Sequence, residues 1–180
     1  MLQYPNNEIE NRKKSFLQDL INTSRISIGT RISLNEHPCT CVHINKNDYY
    51  FSFDEIFFNC EWEYLEEIIK EIYMNGNYNN IEIFYEEDLK DIDYIFIPDS
   101  VQLFGRDDPI NDKQFDWYKK HGNLARVKGN FETGELTKYW TSNIDTTNQA
   151  RVVNERGTHE FFDADDYFGV PIFFKMHKEV

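Results

Sequence analysis

The clearest periodicity in the chain lies in residues 61–74, where Trp62, Leu65, Ile68, Ile69 and Ile72 recur at spacings of three and four. That spacing predicts an amphipathic helix with a single apolar stripe. It leaves Glu63, Glu67 and Glu71 as a row, one turn apart, on the opposite face. Asn75-Gly76 supplies a stop. Elsewhere the pattern changes to period two. Arg25-Ile26-Ser27-Ile28 and Arg31-Ile32-Ser33-Leu34 alternate around Gly29, and residues 39–44 and 49–53 read as further strands on either side of the turn residues Asn45-Lys46-Asn47-Asp48, which predicts a strand meander.

Residues 6–22 read as a helix, with Phe16, Leu17, Leu20 and Ile21 on one side and Arg12-Lys13-Lys14 on another. A short helix is expected after Pro98, capped by Asp99 or Ser100 and ended by Gly105. A second is expected over 111–120, carrying Phe115, Trp117 and Tyr118. From Leu124 the chain is strand-like. Hairpins are expected over 131–140 through Thr133-Gly134 and over 150–162 through Glu155-Arg156-Gly157, with a final strand over 170–176. This order of strands, helices and strands lacks a βαβ rhythm and predicts an α+β fold with a mixed sheet and two to three helices. The expected layout is one compact domain: an N-terminal helix (1–22), a strand meander (23–53), an acidic helical middle (54–123) and a strand-rich C-terminal part (124–180).

Charge changes this picture. The chain of 180 residues has a formal charge of -13, and residues 54–116 hold 18 acidic against four basic side chains, a net of -14 that leaves +1 for the remainder. Besides the helical row there is a second cluster, Glu86, Glu87, Asp88, Asp91 and Asp93, and a third, Asp107, Asp108, Asp112 and Asp116. A solvated surface is one reading of this acidity. A face for a basic protein is the other. Duplex DNA carries one negative charge per ~1.7 Å of axis, so such a segment would match about 24 Å of duplex. A charge mimic that inhibits a nuclease or another nucleic-acid-handling enzyme would carry this distribution; direct nucleic-acid binding, which needs a basic stripe, is excluded. Wholly apolar runs such as Ile172-Phe173-Phe174 fall far short of the ~20 residues that cross a bilayer, so no membrane partner is expected. Residues 6–14 are polar where a secretory signal would be apolar, which makes the cytoplasm the expected compartment.

Aromatic residues make up 16% of the chain and argue against disorder. The series Tyr94-Ile95-Phe96-Ile97-Pro98, Phe104-Gly105, Trp117-Tyr118, Tyr139-Trp140-Thr141-Ser142, Ala150-Arg151-Val152-Val153 and Gly169-Val170-Pro171-Ile172 resembles a bacterial domain of the C-type-lectin-like fold, the fold shared by formylglycine-generating enzymes and some phage receptor-binding proteins. The resemblance spans residues 94–176 and implies a lectin-like mixed sheet. It does not imply the formylglycine-generating activity, because no cysteine follows Cys60. Nor does it imply calcium-dependent sugar binding, since Thr141-Ser142-Asn143 replaces the calcium loop.

Two further sets of residues are candidates for chemistry. Cys39, Cys41 and His43 share one face of a regular strand and are soft ligands, with His37 or Cys60 available as a fourth, so zinc is weighed against a half-buried strand. No disulfide is expected from this odd set of cysteines. Trp117, Tyr118, Tyr139 and Trp140 could stack a small molecule or a glycan, or could form core. No metal or cofactor is expected. Function is expected to be non-catalytic binding through Glu63, Glu67, Glu71, Glu86, Glu87, Asp88, Asp91 and Asp93, with a lectin-like ligand-binding module as the first alternative and an enzyme as the second.

Overall fold

The computed structural model describes residues 14–106 and 113–179. Helix α1 (Phe16–Asn22) is followed by a meander of β1 (Arg31–Leu34), β2 (His37–Asn45) and β3 (Asp48–Phe53), then by the two-residue strands β4 (Glu55–Ile56) and β5 (Asn59–Cys60). A 3-10 turn at Trp62–Tyr64 runs into α2 (Leu65–Asn75). After it come the small hairpin β6 (Asn77–Tyr78) and β7 (Ile81–Glu82), α3 (Glu86–Leu89) and β8 (Ile92–Phe96). Three short helices, α4 (Ser100–Phe104), α5 (Asp116–His121) and α6 (Asn123–Arg126), lead to β9 (Lys128–Asn130), β10 (Leu136–Thr137), β11 (Tyr139–Ile144), β12 (Gln149–Val153), β13 (His159–Asp163), β14 (Phe168–Gly169) and β15 (Phe173–His177).

The principal sheet has the order β1-β2-β3-β15-β8, and all its pairings are antiparallel. A second five-stranded sheet, β13-β12-β11-β14-β5, contains the parallel pair β11–β14, and a three-stranded sheet joins β10, β9 and β4. The fold is α+β and forms a single compact domain. Strands of the C-terminal part do not form a separate unit: β15 lies between β3 and β8, and β5 closes the second sheet.

Side-chain alternation buries both faces of the principal sheet. One face carries Cys39, Cys41, Phe51, Phe53 and Phe174 and packs with Leu17, Ile68, Ile72 and Trp140. The other carries Val42 and Phe173 and is covered by Phe115 and Tyr118 around α5, with Leu103 from α4. A strand buried on both sides tolerates polar residues only with partners. Thr40 and Ser52 are such residues, nearly fully buried on the second face.

Local signals explain most elements. Helix α1 begins at Ser15, whose side chain accepts from the Gln18 N–H; the expected residues 6–13 lie outside the described residues. Helix α2 stops at Gly76, whose φ of 76° is left-handed and whose N–H donates to the Ile72 carbonyl at 2.8 Å, a geometry that glycine adopts without strain. Helix α4 has a full capping box between Asp99 and Gln102, which satisfies two backbone N–H groups at its start. Several expectations are corrected, beginning with the helices, which number six among the described residues where two to three were expected. Residues 25–28 are not a strand: a turn there places Gly29, with φ 88°, against the Trp117 ring, where a Cβ would meet a ring carbon at 2.6 Å. The strand-like stretch from Leu124 opens instead with α6, because its Arg126 turns inward to donate to the carbonyls of Gly157 (2.9 Å) and Leu103 (3.0 Å). The 150–162 hairpin forms as expected. Of the 131–140 hairpin, only β9 and β10 pair, and Tyr139 begins a strand of a different sheet.

Candidate functional site

The acidic residues expected to act together divide into two groups. Glu63, Glu67 and Glu71 are all exposed along α2 and the turn before it, with Glu66 beside them. None of these four is in an ion pair with a described residue, and the field of Glu63 and its neighbour Glu61 is felt locally: Glu63 and then Glu61 push the exposed Tyr64 phenol up, and Glu61 does the same at Tyr167. Glu87 is exposed as well. Asp88 and Asp91 are structural. Asp91 is buried and accepts the Ser15 N–H at 2.8 Å, tying α3 to the start of α1. Asp88 is also buried, and its carboxyl is pushed up to about 6, first by burial and then by Glu87 and Asp91. Asp93 pairs with Lys175 at 3.4 Å and Glu86 with Lys90 at 3.6 Å. The acidic face therefore loses Asp88 and Asp91, while Glu86, Glu87 and Asp93 stay exposed beside α2's own acidic residues. Asp107, Asp108 and Asp112 lie outside the described residues.

Glu63 and Glu66 border a groove. Between α2 and β8, which is an edge strand, lies a cavity of about 320 Å³ lined by Trp62, Leu65, Ile69, Ile95 and Ile97, with Glu63 and Glu66 on its lip. The Trp62 indole N–H donates to the Thr141 carbonyl at 3.0 Å, which holds the ring in place.

The zinc candidates do not converge. A bulge in a strand re-aims the side chains that follow it. Such a register shift between Cys41 and His43 sends His43 to the opposite face from Cys39 and Cys41, where it stacks on Phe115 and lies 3.2 Å from Asp116. Burial pushes the Cys41 thiol up to about 12 and the Cys39 thiol well above its ordinary value. Among the described residues, no three His, Cys, Asp or Glu side chains are arranged to hold a metal. The three cysteines are free.

The four aromatic candidates also separate. Trp140 is fully buried, with its indole N–H on the Cys60 carbonyl at 2.7 Å, and Tyr139 is fully buried, with its hydroxyl on the Arg126 carbonyl at 2.5 Å. Both are core, and neither offers a ring face for stacking. Trp117 is half-buried, and with Tyr118 it lines a cavity of about 360 Å³ on the second face of the principal sheet.

That cavity holds residues that the sequence did not single out: Arg31, Thr40, Ser52, Asp54 and Lys128. Lys128 is buried, and its ammonium donates to Ser52 Oγ at 2.6 Å and to the Phe53 carbonyl, over the rings of Tyr139 and Phe173. Burial lowers its pKa to about 8, against the pull of Asp54. Asp54 is occupied elsewhere: one oxygen accepts from Thr40 Oγ1 at 2.8 Å, and the other pairs with Arg31 Nε at 2.7 Å. One signal for this site was present, since Ser52 is a polar break in the aromatic strand Tyr49-Tyr50-Phe51-Ser52-Phe53. No protein-family model matches the chain, and no curated protein matches it. What the chain can do is therefore read from the acidic α2 face with its groove and from the Lys128 cavity. No helix among the described residues is long and apolar enough to cross a membrane.

Proposed function

We propose that the protein is a non-catalytic binding protein whose α2 face engages a basic protein partner. The observation that carries this reading is the exposed row Glu63, Glu67 and Glu71, not ion-paired with any described cation, whose first member Glu63 stands at the lip of an apolar groove. Three like charges one turn apart weaken the helix by a few tenths of a kcal/mol per pair, and a basic partner removes that repulsion. The groove beside them suits an apolar side chain of the same partner, which supplies the desolvated anchor that charges alone do not. A nucleic-acid-handling enzyme is one partner of this kind, because its phosphate-binding surface is cationic.

The test is retention of proteins from a host lysate at about 50 mM and about 500 mM salt, on either side of the range where exposed charges are screened beyond ~10 Å. Wild-type protein is compared with the triple variant Glu63→Lys, Glu67→Lys, Glu71→Lys. The expected result is a basic protein retained at low salt, released at high salt and absent from the variant. A retained set that is the same at both salt concentrations and with both proteins overturns the proposal.

A further inference from the structure

The Lys128 cavity lies on the other side of the principal sheet from the α2 face and carries its own chemistry. A buried ammonium is ordinarily paired with a carboxylate or exposed through its tip. Lys128 is neither: its described acceptors are a hydroxyl and a carbonyl, both neutral, and the one carboxylate lining the cavity has an oxygen on Thr40 and an oxygen on Arg31. The formal charges of Arg31, Lys128 and Asp54 leave the cavity at +1 within a chain of -13. Polar groups gather at the Ser52 end, where the Tyr118 hydroxyl also meets Ser52. The remaining wall is apolar, made by Val42, Trp117, Leu124 and Val127, and the Trp117 ring is seated against Gly29. A volume of about 360 Å³ is at the small end of ligand pockets.

We propose that this cavity binds a small monocarboxylate with an apolar body, whose carboxylate group is the counter-ion that Lys128 lacks among the described residues. The excess of a single positive charge selects a monoanion, and Asp54 repels a ligand with further negative groups. Arg31, exposed at the rim, offers its remaining guanidinium N–H groups to the same carboxylate. The apolar wall takes the ligand's hydrocarbon or ring. This site is independent of the α2 face.

The test titrates the full chain, ¹⁵N-labelled, with benzoate and hexanoate and with their uncharged amides, and follows backbone amide shifts. The expected result is saturable binding of at least one carboxylate, with shifts at Thr40, Ser52, Tyr118 and Lys128, and no saturation by the matching amide. Lys128→Met should weaken carboxylate binding by about tenfold to a hundredfold, the range for a hydrogen bond to a charged group. Arg31→Gln, at an exposed side chain, should weaken it up to about fivefold. Three results overturn the proposal: no saturation by either carboxylate, equal binding of acid and amide, or shifts that cluster away from these residues. The acid-against-amide comparison uses wild-type protein alone and stands whether or not Lys128→Met folds.

Discussion

Replacing Lys128 by Met should change how stability depends on pH, and the size of the change follows from the lysine's surroundings. Burial lowers the ammonium's pKa from 10.5 to about 8, which corresponds to about 3 kcal/mol against the charged form. Between those two values the unfolded chain holds a proton that the folded chain has released. More protons are bound by the unfolded state, so this lysine makes wild-type stability rise as pH goes from about 8 to about 10.5. Met keeps the length of the apolar stem and removes the charge, but it also abandons the Ser52 hydroxyl and the Phe53 carbonyl. At pH 7 the variant should be more stable by about 1–2 kcal/mol, since replacing a buried charged group by an apolar one of similar shape is neutral to stabilising. At pH 10 that advantage should have fallen by about 2–3 kcal/mol, leaving wild type equal or ahead. Urea unfolding of both proteins at the two pH values measures this. Only the difference between the proteins is informative. The buried phenols of Tyr118 and Tyr139 and the thiols of Cys39, Cys41 and Cys60 are all pushed up in the fold, and each loses stability for both proteins on the alkaline side. A difference that stays flat within about 0.5 kcal/mol between pH 7 and 10 refutes the reasoning, because surface-like behaviour of that size needs no buried charge.

Asp88→Asn should raise stability at pH 7 by about 1–3 kcal/mol, because the buried carboxyl titrates near about 6 rather than 3.8 and its ionisation opposes folding above that range. The gain should vanish by pH 4, where Asp88 is protonated in the fold, and urea midpoints at the two pH values report it. Gly76→Ala should destabilise by more than about 1 kcal/mol, since φ is 76° and the new Cβ would sit 2.5 Å from the Phe84 carbonyl oxygen; thermal unfolding measures it, and an unchanged midpoint counts against the left-handed backbone at this position. Asp91→Ala should cost about 1–2 kcal/mol, with loss of hydrogen-exchange protection concentrated in α1, because its carboxylate holds the Ser15 N–H.

Elements governed by their own residues were legible. The stripe Trp62, Leu65, Ile68, Ile69 and Ile72 packs α2 as its spacing requires, Gly76 stops it, and the turn residues Asn154 to Thr158 close the β12–β13 hairpin. The exposure of Glu63, Glu67 and Glu71 follows from the same period. What was not legible depends on residues distant in the chain. Asp88 and Asp91 have the composition of a surface cluster, and Asp91 is buried because Ser15, 76 residues earlier, offers it a donor. His43 leaves the face of Cys39 and Cys41 because β3 pairs with β2 through a bulge, which alternation within β2 does not record. Trp140 and Trp117 look alike as sequence, yet one indole is fixed by the Cys60 carbonyl in the first core and the other lies against Gly29 at the edge of a cavity.

The Lys128 cavity follows the same logic and raises a question of selection. Its residues come from β1, β2, β3, the stretch before β4, α5, α6 and β9, with Val127 between the last two, so the juxtaposition arises only when the principal sheet and its helical cover are assembled. A residue at this position whose only task was to fill space would be apolar, since an apolar side chain avoids the penalty that Lys128 carries. The hydrogen bonds to Ser52 and Phe53 offset part of that penalty, and neutral acceptors offset less than a carboxylate does. A buried cation left with neutral acceptors lowers the stability of the free protein, and a bound counter-ion would offset that penalty. The two measurements on Lys128→Met separate these roles. A variant that gains stability at pH 7 and loses benzoate or hexanoate binding identifies a charge kept for a ligand against the interest of the fold. A variant that loses stability at pH 7 while carboxylates fail to bind the wild type identifies a lysine whose contacts with β3 are its whole purpose.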